Sequence, residues 1–300
     1  MNGVLVLDKP AGLTSHDVVG RVRRWLGIRR IGHTGTLDPD ATGVLVLCVG
    51  KATRIAEYLS GEDKEYIGVL ALGAATDTDD ASGEVIERMP NPPADPEALR
   101  RAAAALTGEI LQRPPAFSAV RVGGKRAYDL ARAGRPADLP ARKVQVYRFD
   151  VGMPTPRGEL LEAPFHVACS KGTYVRSLCR DLGAKVGIPA HMASLRRVRQ
   201  GPFTVEQALP WSEVQRGGEE GRLAEAVRPM LWALRTWPRF TLLAGEVDRL
   251  RQGRELMADL ARLSPGTSPP GLLVAAYQDQ LVAVCRRNGE RIFPLKVLLT

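Results

Sequence analysis

The sequence predicts an α+β fold: a large domain followed by a small β-rich unit. Three observations carry this. Segments that read as strands outnumber those with helical spacing, and the two kinds mix irregularly instead of alternating as βαβ units. A chain of 300 residues with 44% apolar side chains can bury a substantial core, as one large domain or a large and a small one. After about residue 201 the pattern loosens, and it resumes as short strands over 239–300.

The elements follow in order. Residues 3–7 read as a buried strand stopped by Pro10-Ala11-Gly12. Thr14 and Asp17 have capping-box spacing, and Val18, Val19, Val22, Trp25 and Leu26 recur as a helix does, with Gly27 as its stop. A loop over 30–43 leads into a strand at 44–49 and a short helix at 52–59. "KEYIGVLALG" (64–73) alternates as a strand, and "TDTDDASG" (76–83) is an acidic turn. Pro96 opens a helix running to Thr107, with Gly108 ending it. Residues 142–151 and 158–168 read as two strands of a meander, 173–186 as a helix capped by Thr173, and 193–200 as a further strand. "RGGEEG" (216–221) reads as a turn. The last unit holds a helix near 244–253, the loop "SPGTSPPG" (264–271), and the strands "LLVAAY", "LVAVCRR" and "RIFPLKVLL".

Composition limits the functional classes. No apolar run approaches the ~20 residues that span a bilayer, and "MNGVLVLDKP" lacks the basic flank of a secretory signal. Cys48, Cys169, Cys179 and Cys285 are far apart with no C-x-x-C pair, so they read as small buried side chains in a reducing, cytoplasmic setting. The net charge of +9 makes polyanions the first candidate partners. Of that excess, +6 lies in residues 113–143, which also carry Phe117 and Tyr128. Basic groups interleaved with aromatics suit phosphates and unstacked bases, although a solvated basic helix face has the same composition.

Two stretches could carry chemistry. In "RIGHTGTLDPDATGVLVL" (30–47), Pro39 restricts the backbone at Asp38, Gly35 and Gly43 permit sharp turns, and Thr34, Thr36 and Thr42 offer hydroxyls. The result is either a carboxylate held at the mouth of a strand or an Asx-turn bonded to its own backbone. In "SKGTYVRSLCRDLG" (170–183), Tyr174 and Arg176 flank an apolar stripe, either on the rim of a cleft or at the edge of the core. Asp77, Asp79 and Asp80 miss the calcium-loop pattern; they could hold Mg²⁺ or make a solvated turn. Phosphate-loop, G-x-S-x-G, H-E-x-x-H and zinc-ligand spacings are all missing from the sequence.

Six blocks then occur in order: "GVLVLDKPAGLTS" (3–15), "GHTGTLDPDATGVL" (32–45), "DKEY" (63–66), "RPPAFSAVRVGGKRAYDLARAG" (113–134), "CSKGTYVRSLCRDLG" (169–183) and "HMASLRR" (191–197). Together they closely resemble the TruB-type bacterial tRNA pseudouridine synthases, strongly over residues 1–200. The resemblance implies the pseudouridine synthase fold, a mixed and largely antiparallel sheet with flanking helices. It implies a catalytic domain over 1–237 with a basic thumb at 113–143, and a PUA-like RNA-binding domain over 238–300. It further implies isomerisation of the T-loop uridine at tRNA position 55, after the base has been flipped out of its loop.

Roles transfer by position. The resemblance makes Asp38 the catalytic aspartate, Tyr66 the aromatic that stacks on the base and takes part in proton removal, and Arg176 the partner of the carboxylate. Tyr174, Leu195 and His33 match substrate-contacting positions, Lys125 and Arg126 belong to the gripping thumb, and Lys9 and Pro10 match a structural motif beneath the site. Phe117 stands where some members carry Tyr. An isomerisation exchanges no atoms or electrons with the outside, so no cofactor or metal is expected. The expected partner is tRNA, bound by a monomer without guide RNA or membrane. The competing readings are a non-catalytic tRNA-binding or folding protein and a Mg²⁺-dependent nuclease.

Overall fold

Two sheets organise the chain. The computed structural model describes residues 1–118, 120–135 and 137–299, without the side chains of Arg121, Val122, Lys125 and Arg126. Strand β1 (Gly3–Lys9) runs antiparallel to β2 (Thr42–Val49), with Leu5 opposite Leu47. Both are apolar at nearly every position, so alternate residues feed two cores. Val4, Val6, Val44 and Val46 face one side; Leu5, Leu7, Leu45 and Leu47 face the other. Helix α1 (Ser15–Leu26) covers the second side with Val18, Val19 and Val22. Its ends are as the sequence predicts: a Thr14–Asp17 capping box, and Gly27 closing the helix at φ 63°.

The main sheet has eleven strands. Its long members beyond β2 are β3 (Lys64–Leu72), β4 (Gly108–Gln112), β5 (Arg142–Val151), β6 (Leu160–Cys169) and β7 (Ala190–Gln200). The order is β1–β2–β7–β3–β6–β5–β4, with the short strand Leu209–Pro210 outside β1. Most pairs are antiparallel; β7 runs parallel to β2, and Leu209–Pro210 parallel to β1. Strands β7 and β3 are therefore central, and their register sets Arg197 opposite Tyr66, Leu195 opposite Gly68 and Gln200 opposite Lys64. Helices α2 (Pro96–Ala104) and α3 (Val175–Val186) close one face, packing Leu99, Leu178 and Leu182 against Leu70, Phe165 and Val167. Each of these fully buried side chains contributes roughly 1.5–3 kcal/mol relative to exposure.

The second sheet has six strands, among them β8 (Arg239–Thr241), β9 (Leu272–Tyr277), β10 (Gln280–Asn288) and β11 (Arg291–Val297). One face has its own core around Phe240, Leu250, Leu273 and Ile292. The other contributes Val274, Leu281, Val284 and Leu298 to a cluster shared with Val4, Val46, Ile55 and Trp237 of the main domain. Lys296 Nζ also donates to the Arg54 carbonyl at 2.9 Å.

Several local expectations are corrected. Strand β4 was expected only as a helix stop; it is a half-exposed edge strand paired with β5. Ile31–His33 is a short strand inside the segment read as a loop, and Val85–Arg88 is a short strand in a stretch given no assignment. The helix expected at 52–59 is a 3-10 turn, Gly50–Arg54, followed by Ala56–Ser60. Helix α2 ends at Ala104, before Thr107. Residues 216–219, expected as a turn, finish helix α4 (Trp211–Glu219). Gly218 is there for packing: a Cβ on it would lie 2.3 Å from the Trp25 ring. The four cysteines are buried and free. Among the described residues no helix is long and apolar enough to cross a membrane.

Candidate active site

The 34–42 loop is held from below by buried cations. Lys9, fully buried at the end of β1, donates through Nζ to the carbonyls of Pro10 (2.8 Å), Leu13 (2.6 Å) and Pro39 (2.8 Å). Burial lowers its pKa to about 8. Arg197 donates to the carbonyls of Val44 (2.7 Å), Gly35 (3.1 Å) and Thr36 (3.4 Å). Ser15 Oγ accepts from the Leu37 amide at 2.9 Å, and the Thr34 hydroxyl accepts from Gln200 Nε2 at 2.6 Å. Gly43 is required as expected: its φ is 103°, and a Cβ would lie 2.1 Å from the Arg197 carbonyl. Gly35 is not: its φ is not positive, and a Cβ there would meet only ordinary contacts, the nearest at 3.4 Å.

This loop carries Asp38 to the mouth of a cavity of about 470 Å³. The cavity is lined by Thr34–Asp38, by Lys64 and Tyr66 of β3, by Leu195 and Arg197 of β7, by Lys171–Arg176, and by Phe117, Ser118 and Tyr128 of the basic segment. Alternation along β3 puts Lys64 and Tyr66 on the same face; Leu195 and Arg197 do the same on β7. Arg176, nearly buried, donates Nη2 to Asp38 Oδ1 at 3.3 Å, and its Nε lies 3.1 Å from Asp38 Oδ2. Its remaining donors reach the carbonyls of Thr78 (3.0 Å) and Phe117 (3.1 Å), and Nη1 lies 3.5 Å from Asp80 Oδ2.

Asp38 is therefore not bonded back as an Asx-turn: it makes a two-pronged ion pair and stays 36% exposed, within reach of a ligand. Burial still raises its pKa above the ordinary carboxylate value, with Arg176 pulling it down and Asp80 pushing it up. Burial also raises the Tyr66 phenol, opposed by the nearby Arg197 guanidinium. Lys64, whose Nζ donates to the carbonyls of Glu62 (2.6 Å) and Ser60 (3.2 Å), is lowered by burial to about 8.

The structure brings Asp38, Tyr66, Arg176, Tyr174 and Leu195 together around one cavity, with Lys9 and Pro10 under the loop. Arg176 does not sit on a rim; it is inside. Tyr174 packs against Val120, Ala127 and Leu139, the small core of the 113–143 segment. Thr173 does not cap α3: its hydroxyl donates to the Ser170 carbonyl at 3.0 Å. Gln112 of β4 serves the Tyr174 backbone instead, accepting from its amide at 2.8 Å and donating to its carbonyl at 3.1 Å. His33 does not line the cavity; it lies one residue before the lining, with Nδ1 buried and unpartnered and its pKa lowered by burial. The side chains of Lys125 and Arg126 lie outside the described residues, although their backbone forms the second strand of a hairpin with Arg121–Val122.

Sequence reasoning missed the acidic turn's task. Asp79 and Asp80 are not solvated; they face α3, where Asp79 Oδ2 pairs with Arg180 Nη1 at 2.7 Å and Asp80 approaches Arg176. Asp79 is nearly buried at φ 61°, and burial raises its pKa despite Arg180. The missed signal was spacing: Arg176 and Arg180 stand four apart on one helix face, matching two adjacent acids.

The family model described as TruB family pseudouridylate synthase (N terminal domain) matches residues 23–175, and that of the tRNA pseudouridylate synthase B C-terminal domain matches 176–235. The chain is 48% identical over 294 residues to a tRNA pseudouridine synthase B of Thermobifida fusca, covering 96% of each chain. It is 43% identical over 305 residues to one of Geobacillus thermodenitrificans, covering 99% of each. Among solved structures it resembles a chain of an H/ACA RNP bound to a substrate RNA containing 2′-deoxyuridine (TM-score 0.73, 26% identity, 99% of this chain and 85% of that one). A chain of a Cbf5-Nop10-Gar1 complex is similar at TM-score 0.70 and 28% identity, over 99% and 85%.

Proposed function

Because the chain belongs to the TruB family of pseudouridylate synthases, we propose that it isomerises a uridine of tRNA to pseudouridine, at position 55 of the T-loop, with Asp38, Tyr66 and Arg176 as its catalytic residues. The observation that carries the assignment is the Asp38–Arg176 ion pair at the mouth of a cavity floored by Tyr66 and Leu195. The reaction breaks the bond from ribose C1′ to uracil N1 and joins C5 to C1′. It needs a carboxylate beside the sugar, and the guanidinium favours the ionised form that burial opposes. It needs a platform for the detached base, which Tyr66 and Leu195 supply, and Tyr66 is the candidate proton acceptor.

The target must leave its stack, at a cost of a few kcal/mol. The 113–143 segment is the candidate grip: its Phe117 and Tyr128 line the cavity, and its Phe117 carbonyl is bonded to Arg176. We place the catalytic domain at 1–237 and assign the six-stranded sheet that follows, as a PUA-like domain, to binding the tRNA body. No guide RNA is invoked. The test is direct: an unmodified tRNA transcript incubated with the protein gains pseudouridine at position 55, and Asp38→Asn binds the tRNA with nearly unchanged affinity but makes none. Pseudouridine formed by Asp38→Asn at a comparable rate removes Asp38 from the mechanism.

A further inference from the structure

The cavity carries more positive charge than the ion pair with Asp38 consumes. Its charged lining is Asp38 against Lys64, Lys171, Arg176 and Arg197. Arg176 is balanced by Asp38 and Asp80. Lys64 and Arg197 are 8% and 1% exposed, and among the described residues neither forms an ion pair; the bonds they make to the main chain end on carbonyls. Buried cations are costly unless paired, so two of them in one cavity wall call for an explanation. Their position supplies one. Lys64 stands two residues from Tyr66 on the same face of β3, and Arg197 is the cross-strand partner of Tyr66. Both cations thus flank the platform on which the base would lie.

The chemistry on that platform generates an anion. When C1′–N1 breaks, its electron pair leaves with N1, whether the carboxylate of Asp38 bonds to C1′ or takes a proton from the sugar. Uracil then carries one negative charge until C5 bonds to C1′. Closure restores the balance: the new bond expels Asp38 or regains the sugar proton, C5 loses its proton to a base, and N1 gains one. We propose that Lys64 and Arg197 form an electrostatic cradle for the detached uracil anion, a role that rests on the isomerase reading above. Fixed charges aimed at a developing anion in a water-poor site act mainly on the transition state and little on binding of the neutral substrate.

The test uses Lys64, because Arg197 also holds the 34–42 loop. Lys64→Met and Lys64→Gln remove the charge, and the Gln variant keeps N–H donors for the carbonyls of Ser60 and Glu62; Lys64→Arg keeps the charge. Single-turnover cleavage is measured on tRNA carrying uridine or 5-fluorouridine at the target, at mildly acidic pH, beside the tRNA Kd at fixed salt. Fluorine stabilises the ring anion by itself and lessens the need for the cradle. The expected result is a roughly 10- to 100-fold loss for uridine in both neutral variants, a clearly smaller loss for 5-fluorouridine, an unchanged Kd, and recovery in Lys64→Arg. Equal losses for the two substrates, an unchanged rate, or a weakened Kd with a normal rate, which would mean a phosphate contact, each overturns the proposal. Pseudouridine formation by the unaltered protein is scored in the same assay, so failure of the cradle and failure of the isomerase assignment are told apart.

Discussion

At the scale of single residues, one carboxylate is under opposed forces. Burial raises Asp38, and Arg176 resists. Turnover therefore falls on acidification through a midpoint above the ordinary carboxylate value, because protonation removes the reactive form. Arg176→Met lowers the rate and moves that acid limb to higher pH; an unmoved limb in single-turnover pH profiles would mean that Arg176 does not govern the charge. Lys9 makes a different prediction. Of its three carbonyl acceptors, Pro39 keeps the Gly12 amide, but those of Pro10 and Leu13 are left unpaired in Lys9→Met, costing ~2 kcal/mol or more, read as a lower denaturation midpoint. Asp38 was legible in the sequence as a residue stiffened by Pro39, but its partner was not derivable from spacing, since residues 38 and 176 meet only through the fold. Asp79 and Asp80 were misjudged for the same reason: an acidic turn looks solvated until α3 brings two arginines to it.

At the scale of elements, glycines and caps divide into local and tertiary cases. Thr14, Asp17 and Gly27 obey local rules and were read correctly. Gly218 answers to Trp25 on another helix, and Gln112 on β4 replaces the expected Thr173 cap, so both needed the assembled structure. Strand β4 was missed because an edge strand only half buried shows weak alternation after a helix. Gly43 joins the two cases: it needs a positive φ and also lies against β7. Gly43→Ala is expected to lose stability by several kcal/mol and to shift the 34–42 loop, seen as a lowered Tm together with lost turnover. A variant of wild-type stability would show that β2 and β7 can separate without harm.

At the scale of the whole molecule, the second sheet is part of the main core's surface. Val274, Leu281, Val284 and Leu298 cover Val4, Val46 and Ile55, so truncation after Trp237 should expose that cluster and lower the stability of what remains. Two well-separated unfolding transitions in calorimetry of the full chain would argue that the contact contributes little. The α+β class, the basic segment and the final β-rich unit were all readable from pattern and charge; the docking of one sheet on the other was not, because its apolar residues look like ordinary strand interiors. With a net charge of +9, tRNA affinity should fall steeply with salt, as phosphate contacts require. The most direct measurement is a chemical map of pseudouridine on an unmodified tRNA transcript treated with the wild-type chain or Asp38→Asn. The account predicts a single new pseudouridine at T-loop position 55 with the first and none with the second. A tRNA left unmodified by the wild-type protein, or modified equally by both, would contradict it.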